Sequence, residues 1–211
     1  MMFITFEGID GCGKSTQAKL LEERLRAAFP ANTIVFVRDP GNTGISESIR
    51  ALILDNKHTA MTARTELLLY SAARAQLVDT VIAPALQSGA IVVSDRFTDS
   101  TVAYQSFGRG LPLEDIRRAN AVATGGIMPH LTFFLDVPLA HAKERCASKN
   151  ADRLENAGDE FFERVIAGYQ QFAAQEVERV KRLDATLAVE VLHEQIWSLV
   201  SSAFVVMLGQ R

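Results

Sequence analysis

Residues Gly8-Ile9-Asp10-Gly11-Cys12-Gly13-Lys14-Ser15 spell G-x-x-x-x-G-K-S directly after an apolar run over residues 2–7, which predicts a buried first strand. The glycines let the backbone curl so that successive N–H groups converge on one point, and a helix beginning near Lys14 directs its positive end to the same point. Lys14 adds a mobile positive charge, and the Ser15 hydroxyl is the expected protein ligand for Mg²⁺. The stretch therefore predicts a loop that binds a polyphosphate.

Size and composition favour a single domain over residues 1–211. The chain has 211 residues, 48% of them hydrophobic, and no Pro-, Gly- or Ser-rich stretch or charge block divides it. The formal net charge of -3 argues against a broad nucleic-acid surface, because proteins that bind phosphate backbones usually carry a basic face. We therefore expect no nucleic-acid partner.

The cysteines and the two ends of the chain predict a cytoplasmic location. Only Cys12 and Cys146 occur, without the spacing of a zinc site or a disulfide framework, and no signal peptide is expected at the amino end. The apolar stretch over residues 196–208 contains three serines and is shorter than the roughly 20 apolar residues of a membrane span. We expect a buried terminal helix or a subunit contact there, and no membrane partner.

Hydrophobic patterns along the chain predict strands that alternate with helices. The predicted strands cover residues 2–7, 33–38, 90–95, 131–137 and 186–191. Among the predicted helices, a long one over residues 65–86 is broken near Pro84, and another runs from residue 160 to about residue 182. The alternation predicts a three-layer α/β/α fold with a five-stranded parallel sheet, and a charged segment at about residues 146–158 is interpreted as a lid.

Polar residues lie where such a fold places its ligands, beyond the carboxyl ends of the strands. Asp10 lies in the loop, Arg38 ends the second predicted strand, and Asp95-Arg96 ends the third. Two arginines beside Lys14 suit two phosphorylated ligands better than one. The pattern therefore favours phosphoryl transfer between nucleotides, which needs cations and alignment more than covalent chemistry.

Helical spacing adds weaker candidates. Tyr70 and Arg74 are four residues apart and share a helix face, as do Ser100 and Tyr104. A ring beside a guanidinium can stack on a base and hold its phosphate, but spacing alone equally allows a core tyrosine and a solvated arginine. Asp136, at a similar strand end, is interpreted either as a site residue or as a helix cap.

Several motifs follow one another in a characteristic order. They are Phe6 to Thr16, Arg38-Asp39-Pro40-Gly41, Tyr70 to Gln76, Asp95-Arg96-Phe97 with Ser100 to Gln105, and Asp152-Arg153-Leu154-Glu155. Their order and spacing, from Phe3 to about Ala173, resemble the thymidylate kinase family. The resemblance implies a P-loop NTPase-type fold and a homodimer that uses ATP and Mg²⁺ to convert dTMP to dTDP for dTTP synthesis.

The resemblance also implies roles for individual residues. ATP is assigned to Gly8, Ile9, Asp10, Gly11, Cys12, Gly13, Lys14, Ser15 and Thr16. The dTMP site is assigned to Asp10, Arg38, Tyr70, Arg74, Arg96, Ser100, Thr101, Tyr104 and Gln105. Catalysis is assigned to Lys14, Arg38, Asp95, Arg96, Lys149 and Arg153, and the metal to Ser15 and, through water, Asp95. By the same resemblance, Tyr70 stacks on thymine, Tyr104 crowds the 2′ position of the sugar, and Asp10 holds the 3′-hydroxyl.

The chain departs from the family pattern at a few positions. Asp39 and Asn42 replace the usual Glu and Gly, which puts the loop geometry beside Arg38 in doubt. Gly11 stands where some members place a catalytic arginine, as in the bacterial class whose lid supplies that cation, here Lys149 or Arg153. Cys12, at a helix amino terminus beside a lysine, is either a filler residue or a thiol with a lowered pKa that reacts readily.

Other functions are compatible with a phosphate-binding loop. The first is a kinase for a deoxynucleoside or another nucleoside monophosphate, although three arginines favour an acceptor that already carries a phosphate. A GTPase-like switch would need an Asn-Lys-x-Asp motif, which the sequence lacks. An ATP-powered nucleic-acid remodeller conflicts with the acidic balance and the single domain.

Overall fold

A computed structural model describes residues 1–146 and 152–209 of the chain. Within that part, five parallel strands form one sheet in the order β2-β3-β1-β4-β5. The strands are β1 (Met2–Glu7), β2 (Ile34–Arg38), β3 (Ile91–Asp95), β4 (Leu131–Asp136) and β5 (Val180–Asp184). Because β1 is central, the loop that follows it leaves from the middle of the sheet, with the carboxyl ends of β3 and β4 on either side. The predicted α/β fold with a five-stranded parallel sheet is confirmed.

Helices connect successive strands. They are α1 (Lys14–Ala28), α2 (Gly44–Leu54), α3 (Ala63–Leu77), α4 (Ala83–Gln87), α5 (Thr98–Thr101), α6 (Leu113–Thr124), α7 (Leu139–Cys146), α8 (Asp159–Gln175) and α9 (Val189–Gly209). Wider π-helical turns, Val78–Ile82 and Val102–Gly108, join α3 to α4 and extend α5. No helix in the described part of the chain is long and apolar enough to cross a bilayer.

Alternate residues of β1 face opposite sides of the sheet, and each side has its own core. Phe6 packs against Phe133 with ring centroids 5.3 Å apart, in the cluster that also holds Ile196 of α9. Phe3 packs edge-on against Phe97 at 4.9 Å on the other side. Since the strand is buried on both faces, it reads as a continuous apolar run, and this makes β1 easy to identify from sequence.

The prediction for the last strand is wrong. Residues 186–191 were expected to form it, with a helix reaching residue 182, but α8 ends at Gln175 and β5 covers Val180–Asp184. β5 is an edge strand that, in the described part of the sheet, pairs only with β4; of its five residues only Val180 is buried, and three are charged. A run with so few apolar residues hides a strand, whereas the apolar residues from Val189 onward begin α9.

One further expectation needs correction. Pro84 does not break the long helix, because the π-helical turn immediately before it shifts the backbone hydrogen bonds and the helix continues to Gln87. The charged segment before the predicted lid contains α7, whose Ala142 packs into the core. Of the predicted lid, residues 147–151 lie outside the described part, and a 3₁₀ turn covers Glu155–Ala157.

Candidate active site

The loop after β1 is shaped by two glycines whose positions admit no side chain. Gly8 has φ +135°, and a Cβ there would lie 2.8 Å from the Leu135 carbonyl oxygen. Gly11 has φ +81°, and a Cβ there would lie 2.3 Å from the carbonyl oxygen of Ala142 in α7. α7 therefore closes against the loop. An arginine at position 11 would force α7 away, which gives a physical reason for the glycine.

Lys14 begins α1 and points back into the loop. Its side chain is 5% exposed, and Nζ donates to the Ile9 carbonyl oxygen at 2.8 Å and lies 3.6 Å from Asp10 Oδ1. The ammonium group is thus held where the loop and the start of the helix offer backbone N–H groups. A buried cation surrounded by N–H donors is suited to a phosphate group.

Ser15 and Asp95 meet at the end of β3. Ser15 Oγ donates to Asp95 Oδ2 at 2.6 Å, and register pairing places Asp95 beside Phe6 of β1 and Arg38 of β2. A hydroxyl and one carboxylate are the kind of oxygen ligands that Mg²⁺ takes together with substrate phosphates and water. Among the described residues, no group of three or more His, Cys, Asp and Glu side chains could hold a metal by itself. This pair fits a metal that phosphate oxygens complete.

Arg96 follows Asp95 with a backbone φ of +72°, a conformation that costs energy for a residue other than glycine. Its guanidinium donates to the Gly8 carbonyl oxygen at 2.9 Å, to Asp10 at 2.8 Å and to Ser100 at 3.1 Å. Burial alone would raise the pKa of Asp10, but the charges of Arg96 and Lys14 lower it well below its usual range. Arg96 is therefore a fixed cation at the mouth of the loop.

Glu7 holds the backbone beside Arg96, and sequence reasoning missed it. Its buried carboxylate accepts from the Phe97 N–H at 2.7 Å and from the hydroxyls of Ser100 at 2.6 Å and Tyr169 at 2.9 Å. Burial, together with the charge of Asp99, raises the pKa of Glu7 to about 7. A glutamate at the carboxyl end of a central buried strand was the available signal.

Two adjoining cavities lie around these groups. The first, which we call the phosphate cleft, has a volume of about 490 Å³ and includes Asp10, Gly11, Gly13, Lys14, Ser15, Thr16, Arg38, Arg50, Asp95, Arg96 and Arg145. The second, which we call the inner pocket, includes Asp10, Asp39, Arg50, Tyr70, Arg74, Arg96, Ser100, Thr101, Tyr104 and Gln105. Asp10, Arg50, Arg96 and Asp152 line both. Most residues assigned from the sequence are thus brought together.

Arg74 is neither solvated nor free to move, because it is buried in an ion pair. Its guanidinium donates to Asp39 at 2.5 Å, to Asn120 at 2.8 Å and to the Phe97 carbonyl oxygen at 3.1 Å. These contacts use three of its five N–H groups. Arg74 therefore contributes a positioned rather than a mobile charge to the inner pocket.

The loop beside Arg38 accommodates its departures from the family pattern. Asn42 takes a left-handed conformation with φ +64°, which asparagine tolerates better than most residues, and its side chain accepts from the Arg38 N–H. Asp39 precedes a cis proline and turns inward to Arg74. The Arg38 guanidinium, 43% exposed, pairs with Glu47 at 3.0 Å and remains accessible from the phosphate cleft.

Other predicted residues are not brought to the cavities. Gly8 and Ile9 support the loop from behind without lining either cavity, and Lys149 lies outside the described residues. Arg153 donates to Glu66 at 2.6 Å and to the Ile53 carbonyl oxygen at 2.6 Å, away from the phosphate cleft. Of the two interpretations of Cys12, the reactive thiol with a lowered pKa is wrong, because the thiol is buried and burial raises its pKa.

Two arginines in the phosphate cleft were missed. Arg50 of α2 donates to the Pro40 carbonyl oxygen at 3.2 Å, and Arg145 at the end of α7 donates to the Ala185 carbonyl oxygen at 3.1 Å. Neither carries a sequence signal of its own, since each is one of many charged residues on a helix surface. Their position depends on how α2 and α7 pack.

Comparison with known proteins identifies the family. A family model described as thymidylate kinase matches residues 6–196. Curated thymidylate kinases include one from Roseiflexus sp. (strain RS-1), 45% identical over 94% of this chain and 93% of its own, and one from Chlorobaculum parvum, 41% identical over 100% of both. A crystal structure of thymidylate kinase from Ehrlichia chaffeensis superposes with a TM-score of 0.77 at 33% identity, over 94% of this chain and 98% of its own. The chain belongs to the thymidylate kinase family.

Proposed function

We propose that this protein transfers the γ-phosphoryl group of ATP to dTMP, giving ADP and dTDP for dTTP synthesis. The observation that carries the proposal is the pair of adjoining cavities, whose common wall holds Arg50 and Arg96 together with Asp10 and Asp152. Phosphoryl transfer depends on aligning donor and acceptor and on neutralising the charge that spreads over the transferred group. Cations between two nucleotide pockets supply both requirements.

The phosphate cleft is assigned to ATP. Backbone N–H groups of the loop and the Lys14 ammonium bind the phosphates, and Arg145 lines the outer part of the cleft. Ser15 and Asp95 would hold Mg²⁺, which neutralises phosphate oxygens when bound. Arg38, whose side chain is 43% exposed and pairs with the exposed Glu47, has the freedom to follow the transferred group.

The inner pocket is assigned to dTMP. Tyr70 stacks on the thymine, while Arg74 and Arg96 face the phosphate and the base edge from fixed positions. The Tyr104 ring is buried against Phe161 and Phe162, so it cannot turn aside for a 2′-hydroxyl. The pocket therefore favours a deoxyribonucleotide.

Product analysis by ³¹P NMR tests the proposal. ATP, dTMP and Mg²⁺ should give dTDP and ADP in equal amounts, and ATP hydrolysis to ADP and inorganic phosphate without dTDP would contradict it. Arg96→Ala should lower kcat by about a hundredfold or more, because a fixed cation at the transferring group is lost. Urea unfolding of the same variant separates this effect from lost stability.

We further propose that the protein acts as a homodimer in the cytoplasm. Support for the dimer comes from apolar side chains on the surfaces of α2 and α3: Ile45 is 56% exposed, Leu52 40% and Leu68 58%. Ile45 and Leu52 lie seven residues apart on one face of α2. Support for the location is that the sequence has two cysteines without the spacing of a disulfide framework. Leu52→Glu should yield monomers in light scattering, and an unchanged dimer would exclude this face.

A further inference from the structure

A buried carboxylate connects the inner pocket to the segment after residue 151. Glu66 of α3 is 1% exposed, and both of its oxygens accept hydrogen bonds. Oε1 accepts from Gln105 Nε2 at 2.9 Å and from Arg109 Nε at 3.1 Å. Oε2 accepts from Arg109 at 3.1 Å and from Arg153 at 2.6 Å.

Glu66 can only accept hydrogen bonds here. Burial alone would raise its pKa, but the hydrogen bonds from Arg109 and Gln105 outweigh burial and lower the pKa below the usual value. An ionised carboxylate has no proton to donate. The Gln105 side chain must therefore present its NH₂ group to Glu66, which leaves its carbonyl oxygen for the inner pocket that Gln105 lines.

Besides the Gln105 carbonyl oxygen, the same wall of the inner pocket holds another polar group without a hydrogen-bond partner. Thr101 lies one helical turn before Gln105, is 2% exposed and lines the inner pocket. Its hydroxyl oxygen has no hydrogen-bond partner among the described residues. Buried polar groups without partners are costly, so this part of the wall is complementary to a ligand edge that carries both a donor and an acceptor.

We propose that Glu66 is a specificity-determining positioning residue, which orients the Gln105 amide so that the pocket offers an acceptor to the ring N–H of thymine. This inference rests on the assignment of the inner pocket to the base. Thymine and uracil carry a hydrogen on the ring nitrogen between their carbonyl groups, whereas cytosine carries a lone pair there. The fixed orientation therefore excludes cytosine by placing two acceptors against each other.

The other hydrogen-bond partners of Glu66 predict the effect of replacing its carboxylate by an amide. In Glu66→Gln the amide oxygen takes the position between Arg109 and Arg153, where two guanidinium groups donate. The new NH₂ group then takes the Oε1 position, where Arg109 Nε loses its acceptor and Gln105 meets a donor. The Gln105 amide turns over and presents its own NH₂ to the inner pocket. An NH₂ donor matches the cytosine ring nitrogen and opposes the thymine N–H.

The test compares kcat/KM for dTMP and dCMP in five proteins. The wild type should prefer dTMP by about a hundredfold or more, and Glu66→Gln should lower that ratio by at least about tenfold. In Gln105→Leu the amide that Glu66 orients is absent. Adding Glu66→Gln to this variant should therefore leave its ratio of kcat/KM for dTMP and dCMP unchanged. Glu163→Gln, an exposed glutamate on α8, is the matched control and should keep the wild-type ratio.

An equal loss of kcat/KM for both substrates in Glu66→Gln would overturn the inference, because a merely structural role acts on both alike. If that variant fails to fold, ¹⁵N NMR of the wild type decides: the Gln105 side-chain NH₂ protons should exchange slowly with and without dTMP. Fast exchange in the free protein would overturn the inference. If the wild type phosphorylates dTMP but either test fails, only the inference about Glu66 is overturned and the proposed function stands. If the wild type is inactive toward dTMP, the proposed function and the inference are both overturned.

Discussion

Replacing Glu7 by glutamine should change how stability depends on pH. The carboxyl group has a pKa of 4.5 in its ordinary state and about 7 in the folded protein, because burial disfavours the charged form. Between these values the unfolded chain releases the proton while the folded chain keeps it, so folding loses free energy as the pH rises. At about 1.4 kcal/mol per pH unit, this difference in pKa is worth about 3 kcal/mol.

Urea unfolding at a series of pH values measures this loss. The free energy of unfolding of the wild type should fall relative to that of Glu7→Gln by about 3 kcal/mol between pH 4.5 and about pH 8. Other buried acids that do not act on Glu7, such as Asp39, titrate in both proteins and largely cancel in the difference. Curves that stay parallel across the range would refute the reasoning, since Glu7 would then have the same pKa folded and unfolded.

Further substitutions test the other buried and metal-binding groups. Arg74→Ala leaves the Asp39 carboxylate buried without its partner and should cost about 3–5 kcal/mol in urea unfolding, and a loss below about 1 kcal/mol would contradict the buried pair. Cys12 should react with iodoacetamide at least about tenfold more slowly than free cysteine, and labelling at the free-cysteine rate would show that the thiol is accessible. Asp95→Asn should raise the Mg²⁺ concentration for half-maximal activity by about tenfold or more, and an unchanged requirement would remove Asp95 from the metal site.

The sequence predicts the centre of this fold because the centre is locally encoded. β1, the glycine loop and the start of α1 are contiguous, and each has its own signal: a fully apolar strand, glycines at positive φ and a helix start. The position of Asp95-Arg96 beside the loop follows from the rule that parallel strands end at one edge of the sheet. The prediction of the last strand is wrong because β5 lies at the edge of the sheet, where the apolar pattern is weakest.

The rest of the site depends on packing that no local pattern encodes. Arg50 lines both cavities from α2 and donates to the Pro40 carbonyl oxygen, and Arg153 is drawn to Glu66, more than 80 residues away in sequence. Gly11 was identified as a departure from part of the family, but its cause, the carbonyl oxygen of Ala142, appears only once α7 is in place. Long-range contacts of this kind require the folded structure.

Steady-state assay of ADP formation from ATP and Mg²⁺, with a panel of nucleoside monophosphates as acceptors, tests the central claim most directly. We predict that ADP formation saturates with dTMP and that dTMP has the highest kcat/KM of the panel. A purine monophosphate with a higher kcat/KM, or ADP formation independent of any acceptor, would contradict the assignment of the inner pocket to the thymine nucleotide.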